Sequence, residues 1–270
     1  QLWNDCESEP NNTCNSYYSS LFFDTVYPPR LINASVFNPI GDRVTIVTNQ
    51  DYVYSSQSFT DTTKTIELSY FSKNKIKIQA IDSGADHMLF LSHQGYVYGL
   101  GVNKQGQCGI AKSRRGVVGI SDGYISKPTL ITAFVEAGAI IKEINCGLNH
   151  NCCIEYGNNN LWTFGDNSAN QCSITSSCKI CDCDLYIPTV HPSFKDVSIV
   201  KAECGAFFTV ILSKYGYLYA MGFIDGIDIG IDGILLLHKT PDIKSFSVGY
   251  DIVIYVDTKN QIYGTKNNQQ

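Results

Sequence analysis

The sequence predicts an all-β fold, a β-propeller in which short antiparallel strands recur around a ring. One observation is internal repetition: four segments share an apolar start, a glycine, a mostly apolar strand, a turn and a second strand with an aromatic residue. Another is composition, since the 270 residues are 44% hydrophobic, only 17% charged and include 17 tyrosines, as expected of a folded chain rich in strands. A single unit of this kind cannot bury both of its faces, whereas several arranged radially can.

The repeats follow one another in chain order. A first copy near residues 34–77 contains the apolar strand Val44–Val47 and the segment DYVY, which matches GYVY at residues 95–98. Four further copies are expected near residues 78–140, 141–198, 199–242 and 243–268, with first glycines at Gly84, Gly147, Gly205 and Gly249. The next aligned glycine follows after 17 residues in the copies that start at 78 and 199. It follows after 18 in the copy that starts at 141, whose turn is one residue longer.

The amino-terminal segment, residues 1–20, is predicted to close the ring. Its sequence QLWNDCESEPNNTCNS is similar to NLWTFGDNSANQCS at residues 160–173. We expect this segment to share one blade with strands from the carboxyl end, because such closure removes exposed sheet edges. Residues 1–270 then form a single propeller domain of five or six blades.

The best-preserved copy of the repeat spans residues 83–109 and reads SGADHMLFLSHQGYVYGLGVNKQGQCG. The following copies retain parts of it, namely Cys146, Gly147, His150, Gly165, Asn167, Cys204, Gly205 and Gly222. This pattern of glycine, histidine, strand, Gly-x-Val-Tyr and Gly-Gln-x-Gly resembles the repeat of the regulator of chromosome condensation family, over about residues 34–268. The resemblance implies a β-propeller. It also implies, as an expectation, the activity best known in that family, which is nucleotide exchange on a small GTPase with docking on chromatin.

The eleven cysteines are the main candidates for cross-linking. Cys152 and Cys153 fall at strand positions that are apolar in the other copies. Core packing, or a disulfide with Cys146, Cys204 or the 172–183 loop, is therefore favoured over a metal ligand or a nucleophile.

Eleven cysteines in a chain of this size are a density typical of exported proteins. Because the number of cysteines is odd, an oxidised chain would have at least one cysteine that is free or bridges to another chain. The candidate disulfide cysteines are Cys6, Cys14, Cys108, Cys146, Cys152, Cys153, Cys172, Cys178, Cys181, Cys183 and Cys204.

A weaker alternative is a zinc site formed by Cys172, Cys178, Cys181 and Cys183 in QCSITSSCKICDCDLY. For this segment we favour disulfides that constrain a polar loop, and a redox pair is a third option. His87 and His150 share one repeat position, so we expect a recurring structural role with ring nitrogens bonded to neighbouring backbone. The sequence has no Gly-x-Ser-x-Gly elbow, no His-Glu-x-x-His and no phosphate-binding loop. We therefore predict no catalytic residue, no metal, no cofactor and no enzymatic activity.

Location is predicted from three signs of export. They are the cysteine density, the glycosylation sequons at Asn11 and Asn33, and a start at Gln1 without an apolar leader. An extracellular or cell-surface protein after signal-peptide removal is therefore expected. A net charge of −5 without a basic cluster argues against nucleic-acid binding, and no apolar run is long enough to span a membrane.

The leading functional hypothesis is a non-catalytic interaction module. It would be a scaffold subunit that joins a larger adhesion or lectin chain through a disulfide and a propeller face, with a glycan as a possible ligand. In its size, odd cysteine count and sequons the chain is similar to the light subunits of amoebic galactose-inhibitable adherence lectins. Two alternatives stay open: an intracellular guanine-nucleotide exchange factor, and a soluble propeller lectin that binds glycans directly.

Overall fold

The computed structural model describes residues 31–37, 43–48, 53–56, 66–111, 120–121, 123–173, 183–195, 197–224, 227, 229 and 233–265. These residues form five antiparallel sheets that follow one another along the chain. The all-β propeller prediction is confirmed. The predicted closing segment, residues 1–20, lies outside the described residues, so the number of blades and their closure stay predictions.

Sheets 1, 3, 4 and 5 are meanders in which successive strands pair as neighbours, and sheet 2 differs only in the order of its last two strands. Sheet 1 consists of β1 (Leu31–Phe37), β2 (Arg43–Thr48), β3 (Val53–Ser56) and β4 (Ile66–Glu67). Sheet 2 consists of β5 (Ile78–Ser83), β6 (His87–Ser92), β7 (Val97–Val102), β8 (Ile120–Ser121) and β9 (Tyr124–Leu130), with β9 between β7 and β8.

The remaining three sheets repeat this plan. Sheet 3 consists of β10 (Ile141–Cys146), β11 (His150–Glu155), β12 (Leu161–Gly165) and β13 (Leu185–Val190). Sheet 4 consists of β14 (Ile199–Cys204), β15 (Phe208–Ser213), β16 (Leu218–Gly222) and β17 (Leu235–Leu236). Sheet 5 contains β18 (Ile243–Val248), β19 (Val253–Asp257) and β20 (Ile262–Gly264) among the described residues.

The first strands of the sheets lie next to one another: β5 contacts both β1 and β10, and β14 contacts both β10 and β18. These strands share a register shift after their first residue, which falls between Ile78 and Ala80 in β5 and between Ile141 and Glu143 in β10. Such a bulge increases the local twist of a strand. Its recurrence shows that the repeat specifies the course of the first strand as well as its apolar residues.

The hydrophobic core is divided among the spaces between successive sheets. Between sheets 2 and 3, for example, Leu89, Leu91 and Val97 pack with Ile141 and Cys153. Separate buried clusters fill the spaces between sheets 1 and 2, 3 and 4, and 4 and 5. The second strand of a central sheet therefore faces two interfaces, and all six residues of β6, β11 and β15 are buried.

A one-turn helix precedes three of the first strands and supplies an aromatic anchor. Helix α1 (Ser69–Lys73) buries Phe71, helix α2 (Thr132–Glu136) buries Phe134, and the 3₁₀ turn Pro192–Phe194 buries Phe194. Phe134 contacts the ring of Trp162 edge-on at a centroid distance of 5.3 Å. Such aromatic contacts add to the burial of the rings themselves. These helical turns thus connect β4, β9 and β13 to the first strand of the sheet that follows.

The outward face of sheet 5 is uncovered among the described residues. Ile254 is 46% exposed and Ile262 is 73% exposed, whereas Val210, which holds the position of Ile254 in sheet 4, is fully buried. Val210 packs against Val253 and Tyr255 of sheet 5. The exposed apolar residues of β19 therefore hold positions that are buried between sheets elsewhere in the repeat.

Candidate functional site

A buried polar network joins sheet 2 to sheet 3. His87 Nε2 lies 2.7 Å from Asn151 Oδ1, and Asn151 Nδ2 donates to the backbone oxygen of Gln107 at 2.8 Å. Because the amide oxygen of Asn151 can only accept, the His87 ring donates from Nε2. All three residues are buried. The network therefore stabilises the packing of sheet 3 against both the start of β6 and the loop that follows β7.

The same arrangement recurs one sheet later with different side chains. His150 Nε2 lies 3.0 Å from Thr209 Oγ1, and this hydroxyl is 2.9 Å from the backbone oxygen of Gln171. Between sheets 4 and 5 the corresponding pair is apolar, since Phe208 packs against Val253. The histidines are thus recurring structural residues, as their shared position predicted. Their partners are side chains of the next sheet, and not the neighbouring backbone that was expected.

The first glycine of the repeat makes room for this ring. A Cβ atom at Gly147 would lie 2.2 Å from His150 Cε1 and 2.5 Å from the backbone oxygen of Gly205 in the next sheet. A Cβ at Gly205 would meet the Phe208 ring at 2.3 Å. Each distance is far shorter than van der Waals contact, so a side chain would displace the ring or the adjoining sheet.

Burial sets the charge state of His87. Removal from water, only partly offset by the hydrogen bond to Asn151 and reinforced by His150, lowers the pKa of His87 from 6.5 to about 4. The ring is therefore neutral at physiological pH. A neutral ring that is held by a fixed acceptor and excluded from solvent suits a structural role better than proton transfer.

Carboxylates on the first strands form a second link between sheets. Asp82 Oδ2 accepts a hydrogen bond from the backbone nitrogen of Cys146 at 2.7 Å. Glu203 Oε2 accepts one from the backbone nitrogen of Val248 at 2.8 Å. Asp82 and Glu203 hold the same position in β5 and β14, so each carboxylate contacts the first strand of the next sheet. Sequence reasoning missed this pair, although its signal is an acidic residue two positions before the first glycine.

The loops after β7 and β12 are also built alike. Asn103 Oδ1 accepts from the Cys108 backbone nitrogen at 3.0 Å, and Asn167 Oδ1 accepts from that of Cys172 at 2.9 Å. Both thiols are buried, and each lies near a backbone oxygen six residues earlier in the chain. Burial raises the pKa of both thiols, so they remain protonated and unreactive.

The described cysteines are mostly free thiols. Cys152 and Cys153 are fully buried, as their strand positions predicted, and Cys183 is disulfide-bonded. Cys6, Cys14, Cys178 and Cys181 lie outside the described residues. Within the described part of the chain, no group of three or more His, Cys, Asp or Glu side chains is arranged to hold a metal ion. The free thiols are Cys108, Cys146, Cys152, Cys153, Cys172 and Cys204.

An exposed aromatic patch lies on the loop face, the end of the sheets where each first strand turns into the second. We define the patch as Phe207, Phe223 and Tyr250, which are 37%, 57% and 58% exposed. Backbone hydrogen bonds hold it together: Phe223 donates to Phe207 at 2.8 Å, and Ala206 donates to Tyr250 at 2.8 Å. The aromatic patch is therefore shared by sheets 4 and 5.

The aromatic patch departs from the repeat that surrounds it. The position of Phe207 is polar in sheets 2 and 3, where Asp86 and Asn149 hold it, whereas that of Phe223 is held by Val102 in sheet 2 and Asp166 in sheet 3. An aromatic residue that replaces a polar one, as Phe207 does, has no counterpart in the core of the other sheets, and all three rings of the patch are exposed. Aromatic side chains are enriched at protein interfaces. The patch is thus the best candidate for a binding site in the described part of the chain. Trp162, in β12, is not part of such a surface, because it is buried and donates from Nε1 to Glu155.

Comparison with known proteins is consistent with this architecture. The sequence profile described as the regulator of chromosome condensation (RCC1) repeat matches residues 94–154 and 158–212. An RCC1 domain-containing protein of Dictyostelium discoideum is 27% identical over 223 residues, which are 71% of this chain and 43% of that protein. The guanine nucleotide exchange factor SRM1 of Saccharomyces cerevisiae is 27% identical over 159 residues, which are 58% of this chain and 30% of that protein. The chain spans less than half the length of both relatives.

A solved structure shows the same fold. Prp20p from Saccharomyces cerevisiae, described together with its binding properties to Gsp1p and histones, matches with a TM-score of 0.63 and 21% sequence identity. The match covers 83% of this chain and 56% of Prp20p. At this identity the likeness concerns the fold.

The prediction of an extracellular or cell-surface location after signal-peptide removal is wrong. The relatives are RCC1-type proteins that work inside cells, among them an exchange factor and a propeller that binds histones. The cysteines suggested export by their number, but six of those described are thiols used as small core or loop residues. The two glycosylation sequons were also used to predict export. Of these, Asn33 lies in β1, and Asn11 lies outside the described residues.

Other expectations are not tested by these findings. A disulfide-linked partner chain, a glycan ligand, the absence of nucleic-acid binding and the absence of enzymatic activity stay predictions. Among the described residues, no helix has both the length and the apolar character needed to cross a membrane.

The two matched segments account for most of sheets 2 to 4, where the polar network and its glycines recur at the repeat period. Their strands have the order and pairing of propeller blades. The chain is an RCC1-like β-propeller in which residues 94–154 and 158–212 match the RCC1 repeat.

Proposed function

We propose that the chain acts inside the cell as a protein-binding propeller whose partner is a small GTPase, with guanine-nucleotide exchange as the associated activity. The aromatic patch on the loop face carries the proposal, because it is the exposed cluster that departs from the repeat. The relative SRM1 is an exchange factor, and Prp20p is described with its binding to Gsp1p. These properties support the choice of partner, and the chain's shorter span makes binding the first property to test.

The geometry favours binding through exposed aromatic side chains over catalysis by a titratable group. Exchange requires the propeller to hold the GTPase in a form that releases its nucleotide, which is a binding event and needs no nucleophile. The buried histidine His87 is held as a neutral structural residue, and the thiols of Cys108 and Cys172 are protonated. A cluster of rings at the centre of an interface is the usual source of most of its binding energy.

The test measures binding and exchange separately. The purified chain is titrated against a panel of purified small GTPases in the GDP-bound and nucleotide-free forms, and release of fluorescent GDP is followed in parallel. Phe207→Ser and Phe223→Ser are expected to weaken binding by about 30-fold, the effect of losing a typical hot-spot residue. Tyr215→Ser is the matched control, because Tyr215 is 70% exposed at the opposite end of sheet 4.

Failure of every GTPase to bind would overturn the choice of partner. Equal weakening by the patch variants and by Tyr215→Ser would instead remove the aromatic patch from the site. Binding without nucleotide release would retain the interaction module and exclude exchange as an activity of this chain.

A further inference from the structure

Two cysteines from different sheets meet at the interface between sheets 3 and 4. Cys152 on β11 and Cys204 at the end of β14 have their Sγ atoms 3.3 Å apart. Cys152 is fully buried in the cluster that also contains Ile154, Ala202 and Ile211, whereas Cys204 is partly exposed. This distance is shorter than the sum of two sulfur van der Waals radii and exceeds the disulfide bond length of about 2.05 Å by little more than about 1 Å.

The surroundings of the two thiols differ. Cys204 Sγ lies 3.8 Å from Thr209 Oγ1 and 3.7 Å from the Asn145 backbone oxygen, and Thr209 in turn is paired with His150. Burial opposes ionisation of Cys204. The hydrogen bond from Cys152, together with His150 and Thr209, outweighs that effect and lowers the pKa of Cys204. Donation of that bond and burial raise the pKa of Cys152.

The rest of the repeat shows that this pair is a local departure. Cys146 holds the position of Cys204 one sheet earlier, and the residue of sheet 2 at the position of Cys152 is Leu89. At the junction of sheets 4 and 5, Val210 holds the position of Cys152 and Val248 holds the position of Cys204. A facing pair of sulfur atoms at these two repeat positions therefore occurs at one junction of sheets 2 to 5.

We propose that Cys152 and Cys204 are a peroxide-sensitive pair that forms a reversible disulfide between sheets 3 and 4. The Cys204 thiolate attacks one oxygen of hydrogen peroxide, the O–O bond breaks, and the released hydroxide takes up a proton to become water. The Cys152 thiol then attacks the sulfenic sulfur of Cys204 as the S–O bond breaks, and the departing hydroxide leaves with the Cys152 proton as a second water. Two thiols and one peroxide thus give one disulfide and two waters.

The roles of the two residues follow from their exposure. Cys204 is the residue that a small oxidant reaches first, and Cys152 is the resolving thiol in contact with it. A disulfide here would join residues 152 and 204 across two sheets, so the oxidised chain would resist separation of these sheets. The modification goes beyond the proposed GTPase binding and does not depend on it.

Peptide mapping of the intact chain tests the proposal. After peroxide treatment and alkylation of free thiols, trypsin releases residues 202–214, which contain Cys204 alone, and residues 143–179, which contain Cys152. We expect these two peptides to appear as one disulfide-linked species that a dithiol reductant separates. The melting temperature of the oxidised chain should be higher than that of the reduced chain, because the cross-link restricts the unfolded state.

Two variants identify the partner within residues 143–179. Cys152→Ser should abolish the linked species and leave Cys204 as an oxygen acid, whereas Cys153→Ser should retain the link because Cys153 packs towards sheet 2. Circular dichroism first establishes that each variant is folded. The proposal is overturned if peroxide leaves the wild-type peptide 202–214 unlinked, or if the link persists in Cys152→Ser. If a variant fails to fold, fragmentation of the linked wild-type species identifies the bridging cysteine, and a bridge at Cys146, Cys153, Cys172 or Cys178 overturns the proposal.

Discussion

Replacing His87 by phenylalanine should remove a defined part of the chain's sensitivity to acid. The substitution is sterically reasonable, because Phe208 holds the same repeat position in sheet 4, with its ring over Gly205 as the His87 ring lies over Gly84. It removes the only titratable group of the His87–Asn151 pair. Asn151 Oδ1 loses a buried donor, so the variant should be less stable at neutral pH by about 1–3 kcal/mol.

The magnitude of the pH effect follows from the pKa of His87. The folded state holds this pKa at about 4, below the value of 6.5 for an unfolded chain. Between these values the unfolded chain binds a proton that the folded chain does not, so the stability is present above pH 6.5 and is lost as pH falls towards 4. For the interval from pH 7 to pH 5 the loss is about 2 kcal/mol.

Urea unfolding at pH 7 and pH 5, at constant ionic strength, measures this loss. Carboxylates and other histidines also contribute to the change in the free energy of unfolding between pH 7 and pH 5. The informative quantity is therefore the difference in this change between wild type and variant. Wild type should lose about 2 kcal/mol more than His87→Phe over this interval. His93→Gln, an exposed change in the turn between β6 and β7, should leave the wild-type dependence in place. A pH dependence of His87→Phe equal to that of wild type would refute the assignment of a buried neutral histidine.

Two further predictions concern packing and are checked by urea unfolding. Gly147→Ala should cost about 2–3 kcal/mol because its Cβ would meet the His150 ring and the next sheet, whereas Gly157→Asn, at an open turn position with a φ of 86°, should cost less than about 1 kcal/mol. Ile154→Ala, at a fully buried site, should cost about 2–5 kcal/mol, and Ile254→Ala, at a site 46% exposed, about 1 kcal/mol or less. Equal costs within either pair would contradict the packing described for it.

The repeat could be read from the sequence because its information is local. Glycines, apolar strands and turn residues recur at fixed spacing, and sheets 2 to 5 begin at Ile78, Ile141, Ile199 and Ile243, where the copies were expected to begin. The burial of Cys152 and Cys153 followed from the same register. The anchors Phe71 and Phe134 were missed, although each lies seven residues before the first isoleucine of the following sheet.

The contacts between sheets could not be read in this way. His87 and Asn151 are 64 residues apart, and their pairing depends on how two finished sheets pack. The position of each residue in its own copy was correct, but the identity of the partner was not. Location failed for a related reason: a count of cysteines does not distinguish disulfides from thiols that fill space between strands.

The bounds of the matched repeats bear on how a chain of this kind lengthens. The segment 94–154 begins in the turn before β7 and ends in β11, and the segment 158–212 begins just before β12 and ends in β15. Each segment crosses from one sheet into the next and contains residues from both sides of a junction, with Gln107 and Asn151 in the first and Gln171 and Thr209 in the second. Duplication of such a segment copies the last strands of one sheet together with the first strands of the next, which pack against them. Insertion of whole segments with these bounds should therefore be tolerated better than insertion of whole sheets, since each inserted segment carries contacts across an interface and not only those within one sheet.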